Sequence, residues 1–480
     1  MQNTKAASWG ELLSGRNALR SIALAGGVAL HAVNVYIATT ILPSVVEDIG
    51  GLEYYAWNTT LFVAASIFGS ALSPKTLHIF GPRRAFLVAI ALFALGTAAC
   101  AAAPTMGWML AGRTWQGLGG GLLLGLCYSS IRIVFEERLW PLATGLTSSM
   151  WGIATLLGPA IGGIFAETGH WRWAFWVVLP MCAGLAWLVT QQISAKVSSP
   201  RTDVKVPMLQ IALLVASVLV ISVSSLTYQV SWNALGIIAG LLIGLGVARV
   251  DKTASVRLMP TGAYSLKKGG LGSLYACVCL LSIGITVEVF VPYFLQMIHG
   301  YTPLIAGYMT ALMSAGWTVG SITSSSRSSA TARKLLRAGP LVSAASLAGL
   351  AALVPWSGLN ANANGVWWLL LPLMGVGLGI GLCWPHLLTQ VFKTSPPGEE
   401  NMASSAIITI QLYAMALGAT LGGMIANAAG LIEPGGVEGT RHAALAMFAI
   451  FALSPVAAAI FMGRVLRRPA AAVAAATDAA

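Results

Sequence analysis

Long apolar runs alternate with short polar segments along most of the chain. A helix needs about 20 apolar residues to cross the hydrocarbon core of a bilayer. Residues 1–20 carry Trp9 and Leu12 among charges, which predicts an amphipathic helix at the membrane surface. The later runs predict fourteen membrane-spanning helices, at 21–46, 54–77, 84–103, 106–130, 141–166, 172–193, 207–227, 232–249, 270–298, 302–324, 336–355, 366–392, 402–430 and 441–463.

Composition also indicates a membrane protein. Hydrophobic residues make up 57% of the chain and charged residues only 9%, and the mean hydropathy is +0.78. A soluble domain has about 25% charged residues, so most of this surface must face lipid. The six cysteines fall inside apolar runs without ligand spacing, so neither disulfides nor a metal site is expected. The sequence therefore predicts an all-α polytopic membrane protein.

The net charge of +12 follows from where the basic residues lie. With a cytoplasmic N-terminus, nearly all lysines and arginines fall in cytoplasmic loops, in tails or at cytoplasmic helix ends. Arg113, Arg172 and Arg441 are the exceptions. This positive-inside asymmetry predicts that both termini are cytoplasmic, and it explains the charge without a nucleic-acid partner. The membrane expected is the inner membrane of a bacterium.

The chain repeats part of itself. Leu157–Gly163 is echoed 260 positions later by Leu417–Gly423, and Gly125–Tyr128 is echoed 256 positions later by Gly381–Trp384. Echoes in the same order with a similar offset indicate a duplicated half. The offset also leaves room for an extra pair of helices. We therefore expect a six-helix bundle at 21–193, two inserted helices within 194–269, a second bundle at 270–463 and a cytoplasmic tail at 464–480.

Four segments resemble one transporter family. They are the glycine-rich Gly152–Gly163, the Arg113–Gly120 segment, the Trp171–Phe175 segment and the basic loop Phe80–Arg84. Together they resemble the major facilitator superfamily, and the fourteen predicted spans resemble its drug:proton antiporter branch. The resemblance covers about residues 30–463. It implies a secondary transporter that exports amphipathic or cationic small molecules in exchange for protons, by alternating access.

The resemblance also implies residues that control conformational change. They lie in the loop after the second span and on the glycine-rich fifth span: His78, Gly81, Arg83, Arg84, Gly152, Gly158, Pro159, Gly162 and Gly163. Two positions depart from the family, because His78 and Asn34 stand where it commonly has aspartate. The alternative function is uptake or facilitated exchange of a metabolite, such as an organic anion bound by Arg113. No nucleophile cluster or nucleotide motif indicates an enzyme or a cofactor.

Three ionisable residues inside predicted spans are candidates for proton coupling. A charge at bilayer depth is costly, so it is first considered as functional. Glu288 is the one acidic residue well inside a span, and its spacing predicts a shared helical face with Pro292 and Gln296. Arg113 matches the family arginine that is implicated in proton translocation, and His31 lies one turn before Asn34. Each has a structural alternative, as a buried hydrogen-bonding group or a clamp on helix carbonyls.

Aromatic and amide residues recur on the spans expected to line a substrate cavity. Aromatic rings suit apolar or cationic ligands, although rings at such positions also commonly face lipid. The substrate is expected to be a small molecule, and the protein is expected to be monomeric in the bilayer. The candidates for substrate binding are Asn34, Tyr36, Trp115, Gln116, Tyr293, Gln296, Trp317, His386 and Gln411.

Overall fold

The computed structural model describes residues 8–193, 205–227, 229–266, 270–325, 327–356 and 365–466. Most of the predicted cytoplasmic tail, from 467 onward, and part of the predicted linker, 194–204, lie outside these residues. Every secondary-structure element in the described ranges is a helix. The α-helices are α1 Trp9–Leu12, α2 Gly15–Ile49, α3 Tyr55–Ala101, α4 Met106–Val134, α5 Trp140–Glu167, α6 Trp171–Trp176, α7 Val178–Gln192, α8 Met208–Ser224, α9 Val230–Thr253, α10 Leu271–Ile285, α11 Val291–His299, α12 Pro303–Ser325, α13 Ser329–Leu353, α14 Gly365–Thr394, α15 Glu400–Ala428 and α16 Gly436–Leu466.

Ten helical segments in the described part of the chain are long and apolar enough to cross a membrane. The prediction of an all-helical, multi-pass membrane protein is therefore confirmed, whereas the number fourteen stays a prediction. One of the ten segments, Leu52–Ala101, contains two predicted spans. They are separated at Gly81, whose φ of 74° and ψ of 165° interrupt the helix. Only glycine adopts such a backbone readily, so the basic loop begins at this residue.

The chain divides into two compact units. One contains the chain up to Val215 together with Tyr301–Ala311, and the other contains Ala216–Gly300 and Leu312–Ala480. The start of α12 thus belongs with the helices of the first half. Most of α8 and all of α9, which form the predicted inserted pair, belong with the helices of the second half.

Glycines bring helices into backbone contact inside both units. In the first unit, a Cβ built on Gly117 or Gly121 of α4 would overlap backbone atoms of α3. In the second, a Cβ on Gly377 or Gly381 of α14 would overlap backbone carbonyls of α12. Small residues allow helices to approach closely in lipid, where packing replaces the hydrophobic effect as the driving force for association.

Candidate functional site

A buried cation lies on α4 in the first unit. Arg113 is 2% exposed, and its Nε donates a hydrogen bond to the carbonyl oxygen of Asn58 on α3, at 3.2 Å. Its Nη1 donates to Oε1 of Gln116, one turn along α4. The guanidinium also lies over the Phe62 ring, with Cζ 4.1 Å from the ring centroid. Because a charge at this depth needs compensation, these contacts fix the side chain between α3 and α4.

Gln116 joins three helices. Its Oε1 accepts from Arg113, and its Nε2 donates to Oδ1 of Asn34 on α2 at 2.9 Å and to Oγ1 of Thr97 on α3 at 2.8 Å. Asn34, Thr97 and Gln116 are each 0% exposed. The structure thus brings together the predicted residues Arg113, Gln116 and Asn34 in one buried polar cluster.

His31 lies beside this cluster on α2. Its ring centroid is 5.3 Å from that of Phe62 and 5.9 Å from that of Trp151. A Cβ built on Gly120 would lie 2.7 Å from His31 Nδ1, so a larger residue at position 120 would displace the imidazole. His31 and Arg113 therefore contact the same aromatic ring, Phe62, and they are the ionisable pair of this cluster.

The charge of Arg113 is met by neutral groups. No carboxylate pairs with it among the described residues, where the acidic partners found in ion pairs are Glu11, Glu136 and Asp48. Asn34 supplies an amide at the position where the family commonly has aspartate. Within the described residues, Asn34 Nδ2 and Asn58 Oδ1 are buried atoms that lack a hydrogen-bond partner. The cluster can therefore hold a positive charge and has free capacity for one more polar group.

Glu288 lies in the second unit, within a short 3-10 helix, Thr286–Val289, between α10 and α11. It is half-buried among the buried residues Thr286, Val287 and Val289, and no hydrogen bond or ion pair to it is found among the described residues. The predicted continuous α-helix is interrupted before Pro292, since Glu288 belongs to the 3-10 helix and Pro292 and Gln296 belong to α11. The shared face of these three residues stays a prediction. A proline clashes with the carbonyl four residues earlier, which here belongs to Glu288.

The glycine-rich helix α5 contacts α2 as its spacing predicts. A Cβ built on Gly158 would overlap Tyr36, and one built on Gly162 would lie 3.1 Å from Cβ of Thr40. On another side of α5, a Cβ on Gly163 would lie 2.5 Å from Cα of Leu304. Pro159 contacts α12 as well, at Gly307, while Gly152 has no atom within 4 Å of a built Cβ.

The basic loop contacts the end of a neighbouring helix. Arg83 Nε donates to the carbonyl oxygen of Ile193, the C-cap residue of α7, at 2.9 Å. The segment around Glu136 is held by Arg138, which pairs with Glu136 and with Glu11 of α1. Arg84 is exposed and His78 is half-buried. A carbonyl at a helix C-terminus attracts cations, which explains the choice of Ile193.

The predicted substrate-binding residues fall in both units. Trp115 is 54% exposed on α4, on the side away from its buried neighbour Gln116. Trp317 and Trp384 form an edge-to-face pair with ring centroids 4.8 Å apart. The remaining residues vary in burial: Tyr36, Gln296, His386 and Gln411 are half-buried, and Tyr293 is buried. Gln296 Nε2 and His386 Nε2 lack hydrogen-bond partners within the described residues.

Sequence reasoning missed three members of the buried cluster, namely Asn58, Phe62 and Thr97 on α3. Asn58 and Thr97 are isolated polar residues in apolar spans, which is the signal that could have drawn attention to them. Phe62 gives no such signal, since an apolar ring in a membrane helix is ordinary.

The family model of the Major Facilitator Superfamily matches residues 24–419. The chain is 38% identical to a "Probable multidrug-efflux transporter" of Mycobacterium tuberculosis over 88% of its length and 90% of the relative's. It is 25% identical to "Multidrug resistance protein 3" of Bacillus subtilis, over 83% of this chain and 77% of that protein.

Solved structures show the same fold at low identity. The peptide-transporter-family protein PepTSo matches with a TM-score of 0.66 and 13% identity, over 96% of this chain and 98% of its own. The nucleoside transporter NupG matches with a TM-score of 0.64 and 14% identity, over 93% and 99%. With the helical architecture and the family match over most of its length, the chain belongs to the Major Facilitator Superfamily and is a multi-pass membrane transporter.

Proposed function

We propose that this protein exports amphipathic or cationic small molecules in exchange for protons, by alternating access. The observation that carries the proposal is the 38% identity, over 88% of the chain, to a relative named as a multidrug-efflux transporter. A match over 88% of the chain includes helices of both halves. The proposed location is the inner membrane of a bacterium, with fourteen spans, both termini in the cytoplasm and a monomeric protein.

The proton-coupling role is assigned to Glu288, with Arg113 and His31 as supporting groups. A coupling carboxyl must exchange its proton once per cycle, so it needs a site where no fixed cation holds it ionised. Glu288 fits, since no ion pair to it is found among the described residues and it lies at a helix interruption. Interrupted helices give a transporter irregular backbone at membrane depth, where ion sites are typically built.

Substrate binding is assigned to aromatic and polar groups on helices of the second unit. The Trp317–Trp384 pair places two aromatic rings together, which suits a flat or cationic ligand. Gln296 and His386 each have a buried nitrogen without a partner among the described residues. These groups suit a ligand recognised mainly by its apolar area and by a few polar contacts.

Uptake or exchange of an organic anion is the second candidate function. The observation that favours it is Arg113, a buried cation that no carboxylate neutralises among the described residues. Against it, the guanidinium is 2% exposed and is already engaged by Asn58, Gln116 and Phe62.

Inverted membrane vesicles that contain the protein separate the two functions. For an exporter, ethidium should accumulate in the vesicle lumen when the lumen is acidic, and a protonophore should abolish this accumulation. Vesicles with an empty membrane provide the control. Ethidium accumulation that is insensitive to the protonophore would contradict antiport. Loss of a labelled organic anion from the lumen, driven by the same gradient, would favour uptake.

A further inference from the structure

Helix α15 has a polar face that attaches it to α8. Its residues Tyr413, Thr420 and Asn427 are spaced seven apart, so they lie on one side of the helix. Ser217 Oγ donates to Tyr413 Oη at 3.2 Å, and the hydroxyls of Ser222 and Thr420 are 2.8 Å apart. These residues belong to the second compact unit. Together with the bond from Asn427 Nδ2 to the carbonyl oxygen of Ser225, at 3.3 Å, they form a polar ladder between the two helices.

Helix α9 is fixed to the same structure. Its glycines Gly236, Gly240 and Gly244 lie one turn apart, and a Cβ built on either of the first two would overlap side chains of α8. A Cβ on Gly244 would lie 3.7 Å from Tyr413 Oη. The inserted pair α8 and α9 is therefore a tightly packed hairpin, and α15 is the helix of the second bundle to which the ladder attaches it.

The opposite face of α15 presses on the segment that contains Glu288. A step from Thr420 to Gly422 turns the helix by about 200°, so Gly422 faces away from α8. A Cβ built on Gly418 would overlap Thr286, and one built on Gly422 would lie 3.4 Å from the Phe290 ring. Thr286 is the first residue of the 3-10 helix that contains Glu288, and Phe290 is the residue after it. Helix α15 therefore contacts the inserted hairpin on one face and the backbone segment of the coupling carboxyl on the other.

We infer that the inserted hairpin sets the position of the proton-coupling carboxyl: through the ladder at Tyr413, Thr420 and Asn427, it holds α15 against the 3-10 turn of Glu288. The three α15 residues are positioning residues, since they act through α15 and not on substrate or proton. In lipid, hydroxyl and amide side chains hydrogen-bond across helix contacts and add to van der Waals packing. The ladder therefore helps to fix the rotation and the height of α15.

This inference rests on the proposed coupling role of Glu288, and the test separates the two. Thr420→Val keeps the size and shape of the side chain and removes its hydroxyl. Gradient-driven ethidium accumulation in inverted vesicles should fall about threefold, the effect expected for one average interhelical hydrogen bond in a membrane protein, and downhill exchange should persist. Thr420→Ser, which keeps the hydroxyl, should restore accumulation. A purely structural role would lower both activities together, in proportion to the amount of folded protein.

A matched control is available on the same helix. Thr409 is half-buried, and the one hydrogen bond found for it among the described residues goes to its own helix, at the carbonyl oxygen of Ser405, 3.1 Å away. Thr409→Val should therefore leave accumulation unchanged. The triple change Tyr413→Phe, Thr420→Val and Asn427→Leu, with membrane protein quantified, should lower accumulation further than Thr420→Val alone.

Combining Thr420→Val with Glu288→Gln separates the coupling role of Glu288 from the role of the ladder. If Glu288 couples protons, Glu288→Gln abolishes uphill accumulation, and adding Thr420→Val should change nothing more. Uphill accumulation that survives Glu288→Gln would overturn the coupling assignment and the inference with it. Wild-type accumulation in the triple ladder variant, in a protein whose Glu288→Gln form is inactive, would overturn the inference alone.

Discussion

Helices α4 and α14 have similar glycine contacts in the two halves, but the polar residues of α4 have no counterpart at the same positions of α14. Gly121 and Gly125 of α4 correspond to Gly377 and Gly381 of α14, 256 residues later, and a Cβ built on any of the four would lie within 3.0 Å of an atom of a neighbouring helix. At this offset, Arg113 and Gln116 correspond to Leu369 and Pro372 of α14. Leu369 is buried and Pro372 is half-buried.

In the pair α2 and α10, the second half carries the ionisable group and the first half does not have one at the same position. Gly158 packs on Tyr36 and Gly418 packs on Thr286, so these partners are equivalent at an offset of 250. In that register Asn34 corresponds to Gly284, and Ala38 corresponds to Glu288. The first half therefore carries the fixed cation, and the second half carries the carboxyl. The two halves therefore have similar glycine contacts and different ionisable groups.

Replacing the carboxyl should have the largest effect. Glu288→Gln keeps the size of the side chain and its ability to hydrogen-bond, but it cannot release a proton. We expect gradient-driven export in inverted vesicles to fall to the level of empty membranes, while downhill exchange of ethidium persists. Glu288→Ala, which gives the second half the residue that the first half has at Ala38, should behave in the same way.

The histidine of the first half provides the check on this result. His31 is a further candidate for proton coupling, because it lies beside Arg113 in the buried cluster of the first half. If Glu288→Gln retains part of its pH dependence, His31→Ala together with Glu288→Gln should remove it. Full gradient-driven accumulation in Glu288→Gln alone would mean that Glu288 is a structural acid and that facilitated exchange is the better description.

Replacing Arg113 by the leucine of the second half should have the next largest effect. Arg113→Leu installs the residue found at the corresponding position of α14, Leu369. The bonds from Arg113 to Asn58 and Gln116 are lost, and a hydrogen bond to a charged group contributes about 1.5–3 kcal/mol. We expect transport to fall by about tenfold or more, since 1.4 kcal/mol corresponds to a factor of ten. Arg113→Lys keeps the charge without the planar fork and should recover only part of the activity. Loss of the protein from the membrane, without a lower rate per molecule, would assign Arg113 to structure alone.

The glycine contacts that the halves share should respond to added volume according to the space each one has. Gly162→Leu inserts a side chain where a Cβ would already lie 3.1 Å from Thr40, whereas at Gly422 the nearest atom is 3.4 Å away. Overpacking of this kind costs about 1–3 kcal/mol. We expect thermal stability in detergent to decrease most for Gly162→Leu, less for Gly422→Leu and least for Gly152→Leu, where no atom lies within 4 Å. An equal decrease at Gly152 would show that packing at these contacts does not cause the loss, because leucine favours a helix more than glycine does.

Hydropathy and the internal echo predicted the elements, but they did not predict the contacts between side chains. The α-helices follow the predicted spans closely, and Gly158 and Gly162 share a face on α2 as their spacing requires. These features depend on residue type and period, which the chain displays directly. The partners of Gln116 depend on which helices are neighbours, and Thr97 is found there only because α3 turns back at Gly81.

The 3-10 turn at Glu288 is a related case. The proline that causes it is visible at Pro292, but a membrane helix accommodates a proline as a kink, a 3-10 turn or a wider bulge. Which of these forms depends on the packed neighbours, here α15 with Gly418 against Thr286. The sequence therefore predicted a carboxyl inside this span, but it predicted a continuous α-helix where the structure has a 3-10 turn.

The smallest expected effect concerns the basic loops of the two halves, which carry the same positive charge. Arg83 and Arg84 correspond to Arg333 and Lys334, 250 residues later. Arg83 is half-buried and donates to the carbonyl oxygen of Ile193, whereas Arg333 is exposed. Arg83→Ala leaves that carbonyl at the end of α7 without its cationic partner, so we expect the transport rate to fall several-fold with protein still in the membrane.

Arg333→Ala is the matched control for the same loss of charge on an exposed site, and it should leave the rate within experimental error. Surface charges contribute about 0–1 kcal/mol even when they are paired, so removal of Arg333 has little to disturb. Arg84→Ala, also at an exposed position, should resemble Arg333→Ala, because charge alone does not distinguish Arg83 from its neighbour. If Arg83→Ala and Arg333→Ala lowered the rate equally, the hydrogen bond to Ile193 would have no special role, and the two loops would act only through their positive charge.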